Sequence, residues 1–428
     1  MKYLFCLALA LFAGLIMTRI LKKLRLPAVT SYLIAGILIG PFALGALGIE
    51  GLGFRSAAEV SQFSILSDVA LGFIAFGIGN EFRLTQLKQT GKQATVIAII
   101  QAVAATLFVD AALIAFHFIY PEKLSLGAAL VLGAVASATA PAATLMVVKQ
   151  YKAKGKLTDL LLPIVALDDA VGLVVFSVSF GIAKALISGG VDLIAIVVNP
   201  IIEIFASLIL GALMGFVMTF SEKWFHSGSK RLSLSITYVF LTIGISMLNF
   251  HFGEIELSFS PLLTCMMMGT IFCNLCDFSK ELMERMDSWT SPLFILFFVL
   301  SGAELNLGVF SDLVIVSIGI IYVIFRVLGK YFGAYSSAGL VKCDKPIQKY
   351  LGITLFPQGG VALGMSLIAA QQLGADGELI RNITLFAVLI YEIVGPMLTK
   401  ISLTKSGDIV PEERKSSRIH NDHIKTHR

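Results

Sequence analysis

Charged residues and tryptophan are scarce in this chain of 428 residues. Only 14% of the residues are charged, and there are 2 tryptophans beside 31 phenylalanines. A soluble domain carries about 25% charged and about 45–50% apolar residues, whereas this chain is 57% hydrophobic with a mean hydropathy of +0.86. These proportions exclude a disordered chain and a nucleic-acid binder that depends on surface charge, and they disfavour a carbohydrate-binding cleft. They predict an all-α polytopic membrane protein.

Cysteine is rare as well, which excludes a disulfide scaffold. The 5 cysteines lie in or beside apolar segments. Cys273 and Cys276 form a CxxC pair, which can indicate metal or redox chemistry. No second pair and no neighbouring histidines complete such a site, so we interpret these residues as thiols of the protein core.

Apolar stretches recur along nearly the whole chain, each long enough to cross about 30 Å of hydrocarbon. We predict about thirteen transmembrane helices. Their approximate positions are 2–18, 27–45, 62–80, 93–118, 124–148, 158–186, 193–220, 232–249, 256–273, 289–304, 309–336, 348–371 and 379–400.

Lys and Arg concentrate in one set of alternate loops, such as 19–25, 149–156 and the segment after Lys400. The opposite set holds only Lys2, Arg55, Lys123 and Arg381. Because basic loops stay in the cytoplasm, we expect the N-terminus outside and the C-terminus inside. We interpret residues 403–428 as a short cytoplasmic tail. Its three histidines indicate a solvated segment, with a metal-binding tract as the alternative.

Two adjacent acids lie in the middle of the sixth predicted span. Asp168 and Asp169 follow Lys156 by about 12 residues, which is roughly 18 Å along a helix and close to the membrane centre. Ionisable groups at that depth mark ion or proton pathways. Since neighbouring helical residues point about 100° apart, we expect one carboxylate to face a cavity and the other to face a basic group. A buried pair held in a static salt bridge is the alternative.

Two of the predicted spans contain helix-breaking residues at similar depth. Span five is interrupted at Pro141, beside Ser137 and Thr139, and span twelve at Pro357, Gln358, Gly359 and Gly360. Proline removes a hydrogen bond from a helix interior, and the hydroxyls and freed carbonyls beside it are potential cation ligands. Two interrupted helices that cross in opposite directions are the mark of an inverted-repeat transporter, although a simple proline kink explains either one alone.

Interrupted helices bring partial charges to the membrane centre, where they require compensation. Arg326 and Lys330 lie four residues apart on one helical face and are the candidate cations. Glu392 is a further acid at membrane depth. We expect Glu392 to neutralise a base or a helix end, with ion binding as the alternative.

These features resemble the monovalent cation:proton antiporter superfamily, in particular its branch with two adjacent aspartates. The resemblance covers about residues 1–402 and combines the aspartate pair with both interrupted helices. The segments that carry it are LPAVTSYLIAGILIGP (26–41), FGIGNEF (76–82), ATAPAA (138–143), LDDAVGL (167–173), SPLFILFFVLSGAEL (291–305), RVLGK (326–330), FPQGGVALGM (356–365) and YEIVGP (391–396).

The resemblance implies a homodimer with inverted repeats, in which a core domain slides like an elevator against a dimer domain. Core helices would occupy about 62–186 and 289–402, and dimer or interface helices about 1–45 and 193–273. Asp169 would bind the cation or proton. Asp168 would exchange a salt bridge with Lys330 or, alternatively, Arg326. An aspartate in the first position further suggests electrogenic exchange.

The predicted activity is therefore exchange of a monovalent cation for protons in the bacterial inner (plasma) membrane. Na⁺ is the favoured ion and Li⁺ or K⁺ the alternatives, bound at Asp169 and Asp168 with help from Thr139 and Ser137. The expected partners are these ions, a second copy of the chain and membrane lipids, with no nucleic acid, cofactor or enzymatic activity. A Na⁺-coupled symporter or a K⁺ efflux transporter on the same fold remains open. An intramembrane aspartyl protease is disfavoured because its two acids must face each other from different helices.

Overall fold

The structure is a computed structural model that describes residues 2–21, 28–49, 51–140, 144, 147–148, 151–187, 199–248, 250–252, 255–257, 259–306, 308 and 311–409. Its helices are α1 (Lys2–Leu21), α2 (Ala28–Ile39), α3 (Ala57–Ser61), α4 (Ser64–Glu81), α5 (Leu84–Ile119), α6 (Leu126–Ala136), α7 (Lys156–Ile187), α8 (Asn199–Glu222), α9 (Gly228–Ser246), α10 (Pro261–Leu275), α11 (Ser279–Ala303), α12 (Leu313–Leu340), α13 (Lys345–Thr354), α14 (Gly360–Gln372) and α15 (Gly374–Lys405).

The predicted all-α membrane architecture is confirmed, and among the described residues one short β-hairpin is the exception. Strands β1 (Phe250–Phe252) and β2 (Ile255–Leu257) pair in antiparallel register, with Phe250 opposite Leu257. Among the described residues, 8 helices are long and apolar enough to cross a membrane, and α4, α6 and α10 are shorter apolar helices. Each predicted span contains a helix or a pair of helices, but the count of thirteen stays a prediction.

Local sequence explains where several helices begin and bend. The hydroxyl of Ser125 accepts a hydrogen bond from the Ala128 amide at 2.9 Å, and the Asp312 carboxylate accepts one from the Val314 amide at 2.9 Å. Both side chains therefore satisfy amides that a helix N-terminus leaves free. Gly91 has φ +74° within α5, a conformation that glycine adopts without steric cost. The kink separates a first short segment from the part of α5 that spans the membrane.

The helices pack into two groups. The first helix group contains α1, α2, α4, α8, α9, α10 and α11, and the second contains α5, α6, α7, α12, α13, α14 and α15. The expected division placed residues 62–80 and 289–304 with the core. In the structure the corresponding helices, α4 and α11, pack mainly against α10 and α2 of the first group, and the division into core and dimer domains stays a prediction.

Glycine contacts hold α4 and α11 in the first group. A Cβ atom at Gly79 of α4 would overlap the Met266 carbonyl oxygen of α10. Gly36 of α2 lies in the same way against the Val299 carbonyl oxygen of α11. Such backbone-to-backbone packing is a general means of helix association in membranes, where apolar lipid removes the hydrophobic driving force.

The C-terminal end of α15 joins the second group beyond the expected start of the tail. The helix continues to Lys405, and the Asp408 carboxylate accepts hydrogen bonds from the Thr158 amide at 2.7 Å and the Thr158 hydroxyl at 2.8 Å. Asp408 therefore provides the acceptor for a free backbone amide in the first turn of α7. The remaining tail residues, with the three histidines, lie outside the described residues.

The first prediction concerns the glycine contact between α2 and α11. We expect Gly36→Ala to lower the free energy of unfolding by about 1–3 kcal/mol, because the added methyl group overpacks a closed contact. Gly244→Ala is the matched control, since at that helical position no described atom outside its chain neighbours and the helix's own backbone lies within 4 Å of a Cβ atom. Thermal unfolding in detergent measures both, and equal midpoints for the two variants would contradict the packing argument.

Candidate ion-binding site

The interruptions of two helices meet inside the second helix group. Helix α6 ends at Ala136, and residues 355–359 separate α13 from α14. The Ala140 amide donates a hydrogen bond to the Pro357 carbonyl oxygen at 2.9 Å. Thr144, beyond the first interruption, donates its hydroxyl to the Thr354 carbonyl oxygen at 3.3 Å. The two interrupted helices therefore supply hydrogen-bond partners for each other's free backbone groups. Pro141 itself lies outside the described residues.

Arg326 of α12 binds the C-terminal ends of both interrupted helices. Its Nε donates to the Ala136 carbonyl oxygen at 2.9 Å and its Nη2 to that of Ala138 at 2.7 Å. Its Nη1 donates to the Phe356 carbonyl oxygen at 2.7 Å, and its guanidinium carbon lies 4.5 Å from the ring centre of Tyr391. Because a helix C-terminus carries about half a negative charge, one buried guanidinium compensates two helix ends.

Lys330 lies one turn further along α12 and is also fully buried. Its Nζ lies 2.8 Å from Asp168 Oδ2 and donates to the Thr139 hydroxyl at 2.9 Å and to the Ser137 carbonyl oxygen. Of the two candidate cations, Lys330 is thus the one that pairs with Asp168. Arg326 contacts carbonyl oxygens instead.

The Asp168 carboxylate is enclosed by hydrogen-bond donors. Thr139 donates its hydroxyl to Oδ2, and Gln101 of α5 donates its amide to Oδ1. The Ser137 hydroxyl bonds back to the Ala134 carbonyl oxygen at 2.6 Å, so Ser137 reaches this network through its backbone. Sequence reasoning missed Gln101, although an amide side chain within the apolar stretch IAIIQAVAA was a signal that could have found it.

Asp169 faces a different environment from its neighbour. It lines a cavity of about 570 Å³ between the two helix groups, together with Glu392 of α15 and Gly359 and Gly360 of the second interruption. Asp287 and Met283 of α11 also line the cavity. Asp169 is only 1% exposed, so it lies on a buried part of the cavity wall.

Gln358 and Gly359 shape the second interruption. The Gln358 amide donates to the Val135 carbonyl oxygen at 2.9 Å and to the Tyr322 hydroxyl at 2.8 Å, which links the two broken helices to α12. A Cβ atom at Gly359 would lie 3.0 Å from Ala140 Cβ and 3.1 Å from Glu392 Oε1. Glycine therefore allows the carboxylate of Glu392 to approach the crossing point closely.

A second cavity of about 470 Å³ lies between the two helix groups near the other ends of α4, α7 and α14. Asp68, Ser177, Lys184 and Gln371 are among the residues that line it. Asp169 is not among its described lining residues. Near the same end, Arg381 of α15 pairs with Glu304, which follows α11. This ion pair joins the two groups on the side away from the Asp169 cavity.

Comparison with known proteins identifies relatives of the whole chain. The family model described as the transmembrane region of sodium/hydrogen exchangers matches residues 7–405. The Na⁺/H⁺ antiporter NhaS4 of Synechocystis is 24% identical over 414 residues, covering 92% of this chain and 95% of that protein.

Solved structures show the same fold. The structure of the sodium proton antiporter MjNhaP1 from Methanocaldococcus jannaschii at pH 8 has a TM-score of 0.72 with 18% identity, covering 95% of this chain and 99% of that one. An electron-microscopy structure of the same protein gives a TM-score of 0.62 with 19% identity and 94% coverage of both chains. The chain therefore shares the fold of this solved protein.

A second prediction tests the role of Arg326. We expect Arg326→Met to destabilise the protein by more than about 3 kcal/mol, because each lost hydrogen bond from a charged donor is worth about 1.5–3 kcal/mol. Arg285→Met is the control, since this guanidinium forms an exposed pair with Glu281 at 2.9 Å, and such pairs contribute about 0–1 kcal/mol. Thermal unfolding of the purified variants is the measurement. A loss no larger for Arg326 than for Arg285 would show that the helix ends do not need this cation.

Proposed function

The chain belongs to the sodium/hydrogen exchanger family of multi-pass membrane antiporters, and on that premise we propose that it exchanges a monovalent cation for protons at Asp169. Na⁺ is the first candidate, with Li⁺ and K⁺ as alternatives. The observation that carries the proposal is the cavity that reaches the Asp169 carboxylate beside the crossing of two interrupted helices. The protein is a transporter rather than an enzyme.

Direct competition at one carboxylate is sufficient for coupling. A buried carboxylate is costly to keep charged, and we propose that Asp169 is neutralised by either a proton or a cation from the cavity. With either one bound, the site is close to neutral and crosses the low-dielectric barrier at a much smaller cost. The ionised empty site crosses least readily, which enforces exchange instead of leak.

Asp168 and Lys330 offer a second group whose charge can change during the cycle. Their pair is fully buried, and such a pair is sensitive to any new charge nearby because the low dielectric strengthens electrostatic interactions. We propose that cation binding at Asp169 weakens this pair and that Lys330 then releases a proton. More than one proton would move per monovalent cation, so exchange would be electrogenic.

The packing of the helices suits an elevator motion. Both cavities lie between the first and second helix groups, and the second group carries Asp169 and both interrupted helices. We propose that the second group slides against the first and thereby moves Asp169 from one cavity to the other. The packing supports a boundary that leaves α4 and α11 with the stationary group.

The orientation and assembly belong to the same proposal. The Asp169 cavity opens beside the N-terminal half of α11, and the basic residues in the adjoining loops favour a cytoplasmic opening in the bacterial inner membrane. Apolar side chains including Phe205, Ile209 and Phe216 are exposed along α8. This surface suits lipid and a second copy of the chain, in line with the expected homodimer.

The central prediction concerns Asp169. We expect Asp169→Asn to reduce cation-driven proton movement in proteoliposomes at least about 100-fold, because an amide neither exchanges a proton nor offers a charged cation ligand. Asp159→Asn is the matched control, the same change at an exposed position on the same helix. Proton flux is followed with a pH-sensitive dye as Na⁺, Li⁺ or K⁺ is added. Full activity of Asp169→Asn would contradict the proposal, and no response of the wild type to any cation would favour symport.

A separate prediction addresses electrogenicity. We expect the wild-type exchange rate to change with a membrane potential imposed by K⁺ and valinomycin, since a moving charge gains about 2.3 kcal/mol per 100 mV. The double variant Asp168→Asn, Lys330→Gln removes the second titrating group, and any exchange it retains should be independent of the potential. A wild-type rate that ignores the potential would exclude the proposed role of the pair.

A further inference from the structure

Glu392 of α15 reaches the same cavity as Asp169 from another helix. Its side chain is 2% exposed and lines the cavity beside Gly359. The carboxylate lies where the second interrupted helix resumes as α14. Its acceptor Oε2 is 3.5 Å from the Thr30 hydroxyl of α2, and this long contact is the one hydrogen bond that the described residues provide. The protein therefore stabilises the carboxylate of Glu392 only weakly by hydrogen bonding.

No cation of the protein compensates Glu392 within the part of the chain that the structure describes. Lys330 is paired with Asp168, and the guanidinium of Arg326 is used by three carbonyl oxygens. The described side chains that line the cavity include Asp169, Asp287 and Glu392 but no Lys, Arg or His. The positive end of α14 supplies about half a charge at most, which leaves a buried carboxylate incompletely neutralised.

The titratable groups that line the cavity with Glu392 come from three packed helices. They are Asp169 on α7, Asp287 on α11 and Tyr32 on α2, while Arg326 on α12 contacts the neighbouring Tyr391 ring. A buried carboxylate in such surroundings is either neutralised by a proton or balanced by a mobile cation. These are the two species that the proposed antiport brings into this cavity.

We propose that Glu392 is a second carboxylate of the transport site, which binds the same cation or proton as Asp169. The inference rests on the proposed antiport and deepens it, because it assigns a ligand from α15 to a site otherwise built from α7 and the interrupted helices. Two carboxylates from different helices hold a cation better than one. Glu392 thus sets the apparent cation affinity and the pH range of exchange.

The test compares Glu392→Gln with Glu222→Gln in proteoliposomes. Glu222 is an equally buried carboxylate in the first helix group, bonded to the Ser235 hydroxyl at 2.7 Å and absent from the described lining of the cavity. We expect Glu392→Gln to raise the apparent KM for the cation at least about tenfold, as for loss of one partner of a buried charge interaction. The pH dependence should move toward lower pH, since protons compete less well for a site with one carboxylate fewer. Glu392→Asp should recover part of both, and Glu222→Gln should change neither.

If Glu392→Gln exchanges ions with the same KM and pH profile as the wild type, the proposed role of Glu392 is overturned. The antiport proposal would still stand. If Glu392→Gln does not transport, Na⁺-dependent thermal stabilisation in detergent decides the matter. A weakened Na⁺ titration relative to wild type supports the proposal, and an unchanged titration overturns it. If the wild-type protein itself shows no cation-driven proton exchange, the proposed function is overturned.

Discussion

The compensation of two helix ends by one pair of buried cations is the interaction on which the rest of the structure depends. Where α6 and α13 stop, their last carbonyl groups have no partners within the helix. In a membrane no water is present to bond them. Arg326 and Lys330 contact these carbonyl oxygens from a continuous neighbouring helix. Without them, the unwound backbone that forms the site would be too costly to keep in the bundle centre.

The same arrangement separates two chemically identical neighbours. Asp168 lies on the side of α7 that faces α12, so Lys330, Thr139 and Gln101 surround its carboxylate. Asp169 is rotated by about 100° and lines the cavity instead. One helix thereby presents one carboxylate to Lys330 and its neighbouring donors and the other carboxylate to the cavity. The proposed coupling relies on their proximity, because a charge arriving at one alters the environment of the other.

The division into two helix groups rests on contacts that hydropathy does not encode. The core that the resemblance implies includes the segments that form α4 and α11. Close glycine contacts bind these helices to α10 and α2, whereas Gly329 and Gly333 bring α12 against α5 in the second group. Contacts within each group are therefore close, and the cavities lie between the groups. The proposed sliding of one group against the other follows this boundary.

The sequence by itself determined the helical membrane architecture, the position of Asp168 and Asp169 within a long apolar helix, and the two interruptions, because apolar length, proline and charge act locally along the chain. It also supplied Arg326, Lys330 and Glu392 as candidates. Only the tertiary structure decided that Lys330 pairs with Asp168, that Gln101 joins them from α5, and that Glu392 shares a cavity with Asp169. These outcomes depend on how far apart side chains on different helices lie after packing. Gln101 and Asp168 are more than 60 positions apart in the sequence, and the residues around each of them do not indicate that the two side chains meet in the folded protein.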